Sequence, residues 1–193
     1  MEKKASGGKK DPAHRSRQAR PTIRKDTPLE RILRLAPACD CPACTHGCSM
    51  GSGILIGDDL HRLAVHLKVP EERLKEEFLE EVEQFDRVFF RPKLRRKNGL
   101  PYGPCIFLQT DGHCRVHPAK PLQCRISTGC KDYGEKLSLW FLLNHLLDIG
   151  NPESVRQYHL YLQSGGKTIS GGSLAELIPS RKKRDAILSF KEL

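Results

Sequence analysis

Apolar residues recur at helical spacing in several stretches of the chain. Leu60, Leu63, Ala64 and Leu67 share one face behind Asp58, a residue suited to capping a helix. After Pro70, Leu74, Phe78, Val82 and Phe85 continue the same period, which predicts a second helix running through Phe85. Residues 137–149 form the most apolar predicted helix, with Leu139, Trp140, Leu143, Leu146 and Leu147 on a broad face and Gly150 to close it. Thr27-Pro28-Leu29-Glu30 and Ser173-Leu174-Ala175-Glu176 read as capping boxes, opening short helices that reach about Ala36 and Ile178. Asn151-Pro152-Glu153 opens another that ends near Gly165. A last helix is predicted over 181–190, although Arg181-Lys182-Lys183-Arg184 at its start opposes the helix dipole.

Between these helices the pattern changes. Val88, Phe89 and Phe90 favour a strand over 88–94, and Asn98-Gly99 is a hairpin signal inside a basic turn. Residues 105–108 and 114–116 are two short extended runs joined through Asp111-Gly112. The predicted architecture is therefore mainly α, with irregular cysteine-rich loops and a small β-ribbon within 88–116. It is a single domain organised around a metal or iron–sulfur site, and no internal repeat is present.

Composition sharpens this picture. The chain of 193 residues is 38% hydrophobic, which predicts a modest core that a bound metal helps to hold. Residues 1–26 carry nine basic and three acidic groups, so most of the formal charge of +10 lies in the N-terminal segment. That segment lacks apolar periodicity and is read as a disordered basic tail, with RNA as a candidate partner through counterion release. A cysteine-cluster domain with C-terminal helices is expected over 27–178, and a basic C-terminal helix or tail over 179–193. The Lys- and Gly-rich start has no apolar leader segment, and the longest apolar run, Leu139 to Leu143, is far short of the ~20 residues a membrane span needs. These features point to a cytoplasmic protein that does not enter the membrane.

The chemistry lies in the eight cysteines. Cys39, Cys41, Cys44 and Cys48 fall within ten positions, and Cys105, Cys114, Cys124 and Cys130 within twenty-six. In a reducing compartment, clustered thiols are metal ligands or redox groups more often than disulfides. Cys41-Pro42-Ala43-Cys44 is a C-x2-C knuckle and Cys44 to Cys48 a C-x3-C step, each able to turn two thiolates toward one centre. The downstream cysteines, with eight, nine and five residues between them, supply the rest. Cys39 stands only two residues before Cys41, an awkward addition to the knuckle, and is left outside the ligand set. His46, His113 and His117 are neighbouring imidazoles that compete for the same role.

Cys41-x2-Cys44-x2-Gly47-Cys48, Cys105-x-Phe107-Leu108, Gly112-x-Cys114-x-Val116 and Lys120-Pro121-x2-Cys124-Arg125 follow one another in an order that resembles the YkgJ-type cysteine-cluster proteins. That family is described as a zinc- or iron-chelating domain. The likeness covers roughly residues 38–130. It departs where Gly47 replaces the first of two adjacent cysteines, where His117 and Lys120 replace Tyr and Arg, and after Arg125, where Cys130 offers a replacement thiol. The expected ligands are Cys41, Cys44, Cys48, Cys105, Cys114, Cys124 and Cys130. The resemblance places Arg125 beside the metal as a counter-charge, and it favours a 4Fe–4S cluster over zinc. One enzymatic branch of the family methylates protein lysines with a cluster and S-adenosylmethionine. This implies a lysine N-methylase-like alternative, although the C-x3-C-x2-C order of radical-SAM enzymes is absent. A zinc-stabilised RNA- or ribosome-associated module using both basic ends is the other alternative. The sequence leaves the physiological protein partner unidentified.

Overall fold

The computed structural model describes residues 21–190. Helices α1 (Leu29–Leu35), α2 (Pro42–Met50), α3 (Asp59–Leu67) and α4 (Glu71–Phe78) precede a two-stranded antiparallel ribbon, β1 (Leu79–Gln84) and β2 (Arg87–Pro92). A long irregular stretch then leads to a 3-10 turn (His117–Ala119) and to α5 (Leu122–Ile126). Helix α6 (Gly134–Phe141) runs on as a π turn (Leu142–Leu146). Helices α7 (Pro152–Gln163), α8 (Leu174–Leu177) and α9 (Arg181–Leu188) complete the chain. The mainly helical architecture with cysteine-bearing irregular segments and a small ribbon agrees with the sequence reading.

Two apolar cores lie side by side. The larger is centred on α6, whose Leu137, Trp140 and Phe141 pack with Ile32, Ile126 and Tyr158. Trp140 donates its indole N–H to the Thr27 carbonyl at 2.9 Å, so its polar edge is satisfied while the ring is buried. The smaller core joins Leu63, Leu74, Leu79, Phe107 and Val116, with Phe78 stacked on Phe107 at 5.9 Å between centroids. Each fully buried side chain of this size stabilises by roughly 1.5–3 kcal/mol. Phe107 and Val116 also wall a pocket lined by cysteines, so the smaller core is continuous with the site. Val155, Ile178 and Ile187 make a minor cluster that fixes α9.

Several local expectations change. The helix expected through Phe85 ends at Phe78, and Val82 lies on β1 opposite Phe89. The reversal at Phe85-Asp86 places both residues at positive φ, +53° and +58°, the backbone of a two-residue type I′ hairpin. The ribbon partner of residues 88–92 is therefore the upstream segment 79–84. The downstream runs contribute only isolated bridges, Leu94 with Cys105 and Leu108 with Cys114. Residues 42–50, expected as a loop, are helical: Pro42 occupies the first turn, where its missing N–H costs nothing. Thr27 does not cap α1. Its hydroxyl accepts the Arg24 N–H instead, at 2.9 Å. Within the segment read as a basic tail, residues 22–26 pack on the body through buried Ile23 and a bond from Lys25 N–H to the Ser170 carbonyl at 2.9 Å. The remainder of the predicted basic tail, residues 1–20, lies outside the described residues, as do residues 191–193. No helix among the described residues is long and apolar enough to cross a membrane.

Candidate metal centre

The eight thiols sort into two spatial groups, and neither matches a block of sequence. An outer group gathers Cys39, Cys41, Cys44 and Cys130, whose sulfurs all lie within 4.8 Å of one another. Cys130 Sγ is 3.4 Å from Cys44 Sγ and 3.9 Å from Cys39 Sγ. An inner group, Cys48, Cys105, Cys114 and Cys124, lines a pocket of about 320 Å³ that Cys44 also reaches. Each group thus takes members from both the upstream and the downstream block.

Helix α2 is the common wall. Cys41 is its N-cap and accepts the Cys44 and Thr45 N–H groups at 2.9 and 3.0 Å. Cys44 and Cys48 are one turn apart and so project from the same face. They are displaced along the axis, so Cys44 stands at the outer group while Cys48, one turn further on, stands at the inner one. The Cys48 carbonyl accepts the Cys105 N–H at 2.8 Å, which fixes the extended segment of Cys105 against the end of α2. Cys114 is held by its bridge to Leu108, with Arg115 N–H donating to the Phe107 carbonyl at 2.8 Å.

Cys124, on α5, is positioned by residues that carry no thiol. Asp59, 3% exposed, accepts the Leu122 N–H on both carboxylate oxygens at 3.1 and 3.2 Å, and the Ile56 N–H at 3.0 Å. Arg62 pairs with the same carboxylate and also donates to the Lys120 carbonyl at 3.4 Å. Gln123 accepts the Ile54 N–H. Gly53 then lies so close that a Cβ there would stand 2.6 Å from the Cys124 sulfur. At the outer group Gly129 plays the matching part, since a Cβ on it would run into the Ala43 carbonyl in the first turn of α2. The close approach brings Cys130 over Cys44.

The two groups differ electrostatically. In the outer group the Cys44 backbone N–H and the Cys39 thiol bring Cys41 down to about 7, while the hydrogen bond that Cys130 shares with Cys44 pushes Cys130 up to about 12. Cys41 thus ionises more readily than an ordinary thiol, whereas Cys130 holds its proton more tightly. In the inner group desolvation raises all four thiols, Cys105 to about 11, and repulsion from neighbouring thiolates adds to it at Cys48, Cys105 and Cys124. The Lys120 ammonium pulls Cys48 and Cys114 the other way. A metal cation would reverse this balance and deprotonate the set.

Of the seven cysteines singled out by sequence, three fall in the outer group and four in the inner one. Cys39, set aside because of its spacing, is the fourth member of the outer group. Residues 37–40 are irregular and Cys41 lies at a bend, where both sulfurs join one cluster, and residue spacing alone does not reveal that. Arg125 lies exposed on α5, and the cation bearing on the inner thiols is Lys120, which also donates to the Cys39 carbonyl at 3.3 Å. His113 pairs with Asp40 at 3.5 Å, beside the outer group rather than within it. Asp59, Gln123 and the two glycines carried no signal in the sequence reading, because their role exists only once α3 and α5 are packed.

The four outer sulfurs fit a single ion. Bonds of 2.3 Å to a tetrahedral zinc set neighbouring sulfurs about 3.8 Å apart, close to the separations found. Comparison with known proteins bears on the same segment. A family model described as "putative zinc- or iron-chelating domain" matches residues 38–141, more than half of the chain. No curated protein and no solved structure matches it.

Proposed function

The chain belongs to the CxxCxxCC family of zinc- or iron-chelating domains, and on that premise we propose that it holds two metal centres of different kind. The outer group, Cys39, Cys41, Cys44 and Cys130, takes one zinc ion. The inner group, Cys48, Cys105, Cys114 and Cys124, takes an iron–sulfur cluster. The observation that carries the reading is the mutual approach of the four outer sulfurs within 4.8 Å, too close to leave room for a polynuclear core between them. The inner thiols instead surround a space far larger than one ion, walled by Phe107, Val116 and Pro92. Cluster sites have such apolar, four-cysteine surroundings.

A closed tetrathiolate zinc site has no redox step and adds folding free energy. A cluster would supply one-electron chemistry in the inner pocket. Protein purified without oxygen and analysed for zinc, iron and acid-labile sulfide tests both halves. The expected result is one zinc per chain together with iron and sulfide, and broad visible absorbance that bleaches in air. Cys130→Ser should lose zinc and keep the colour, and Cys124→Ser should do the reverse. A colourless chain with two zinc ions would overturn the inner assignment, and a chain without zinc the outer one.

A further inference from the structure

Resting on the zinc reading of the outer group, we infer that this group is a redox-sensitive clasp in which Cys130 forms a disulfide and expels the ion. Cys130 is the one exposed thiol among the eight, and its sulfur stands 3.4 Å from Cys44 and 3.9 Å from Cys39. Cys39 and Cys130 both lie outside the motif that carries the family likeness, so neither is accounted for by it. The inner thiols line the deeper pocket, with Cys105 buried. A small polar oxidant from solvent therefore meets the outer group first.

The clasp also has the right connections. Cys44 belongs to α2, and Cys130 follows α5 at a distance of 86 residues in sequence. These two helices each supply one inner cysteine, Cys48 and Cys124. Whatever joins Cys130 to Cys44 therefore determines how firmly the walls of the inner pocket are held together. Zinc and a disulfide are alternative ways of joining them, and only one can exist at a time.

The chemistry balances with a peroxide as oxidant. A thiolate of the pair attacks one peroxide oxygen, the O–O bond breaks, a sulfenic acid forms and hydroxide leaves. The second thiolate attacks that sulfur, the S–S bond forms and a second hydroxide leaves. The two sulfurs lose two electrons and the peroxide gains two. The ion loses two of its four ligands and departs.

The test uses the full chain, purified with its metals and treated with hydrogen peroxide in the presence of a chromogenic zinc chelator. The expected result is release of one zinc per chain, reversed on adding a thiol reductant and zinc. Peptide mass mapping of the oxidised wild-type chain should find a disulfide containing Cys130, joined to Cys44 or Cys39. Because Cys130→Ser weakens the site itself, the wild-type mapping carries the decision. Zinc that stays bound while peroxide is consumed would overturn the inference and leave the zinc reading intact, as would disulfides that omit Cys130. A chain that holds no zinc before treatment would overturn both.

Discussion

The outer and inner thiol groups share one helix yet are assembled by opposite means. Three of the four outer cysteines come from residues 39–44, so local chain geometry nearly completes the group and a single remote residue, Cys130, closes it. The inner group draws Cys48, Cys105, Cys114 and Cys124 from the end of α2, two extended segments and α5. Its thiols are desolvated and raised, whereas the outer group contains a readily ionised Cys41. A group built locally can form early and bind metal in a partly folded chain. A group built from four distant segments exists only in the native state, so its metal contributes directly to folding free energy.

The largest expected effect follows from that difference. Chelation under reducing conditions should lower the melting temperature by on the order of 10 °C, taking about 4 kcal/mol lost and about 2–4 °C per kcal/mol for a chain of this size. Without chelator, circular dichroism should show a larger drop in melting temperature relative to wild type for Cys124→Ser than for Cys130→Ser. Equal losses, or a larger one for Cys130→Ser, would break the contrast. Next comes Asp59→Ala, which leaves the Leu122 and Ile56 N–H groups and Arg62 without their acceptor. It should cost about 2–4 kcal/mol in denaturant melts. Since Asp59 orients α5, the inner metal should be lost and the outer zinc retained.

The two close glycines allow a sharper and smaller comparison. Gly53→Ala puts a methyl against the Cys124 sulfur, and Gly129→Ala puts one against the Ala43 carbonyl. Each should cost about 1–3 kcal/mol as overpacking. The metal content should divide between them, with Gly53→Ala depleting the inner centre and Gly129→Ala the outer. If both variants lost the same metal, the thiols would act as one site.

These particulars show what the sequence disclosed and what it did not. The C-x2-C-x3-C run and the ordered downstream motifs were legible because short spacings impose short distances. Cys39 was not, since the C-x-C step brings its sulfurs together here through irregular backbone ahead of the bend at Cys41. The Asn98-Gly99 turn was legible, and both residues adopt the positive φ that Asn-Gly favours. The hairpin at Phe85-Asp86 was not, because it uses the same backbone without those residues. Leu79–Gln84 is rich in Glu and Gln, which favour helix, and it keeps the helical apolar period, yet pairing with β2 prevails. Which thiols share a group was not legible for a related reason. The one-turn step along α2 from Cys44 to Cys48 divides the upstream block between the two groups, and that division becomes visible only once residues 42–50 are known to be helical.

Lys120 provides the smallest and most selective probe of the contrast. Its ammonium acts on the inner group through charge, drawing Cys48 and Cys114 toward ionisation. On the outer group it acts through one hydrogen bond to the Cys39 carbonyl, which bears no thiol. Lys120→Met keeps much of the side chain's bulk and removes both effects. Four thiolates around a cluster or a divalent ion leave a net negative charge, so losing the nearby cation should weaken the inner centre by about tenfold, the lower end of what neighbours of metal ligands contribute. The outer zinc should change by much less, because the single, partly buried hydrogen bond to that carbonyl touches no thiol. Competition with a chelator of known affinity, read separately for iron and zinc, gives both numbers. Lys120→Arg keeps the charge and should restore most of the inner affinity. If Arg fails to restore it while Met lowers both centres equally, Lys120 acts by holding the Cys39 loop, and the two groups are coupled through that loop rather than separated by α2.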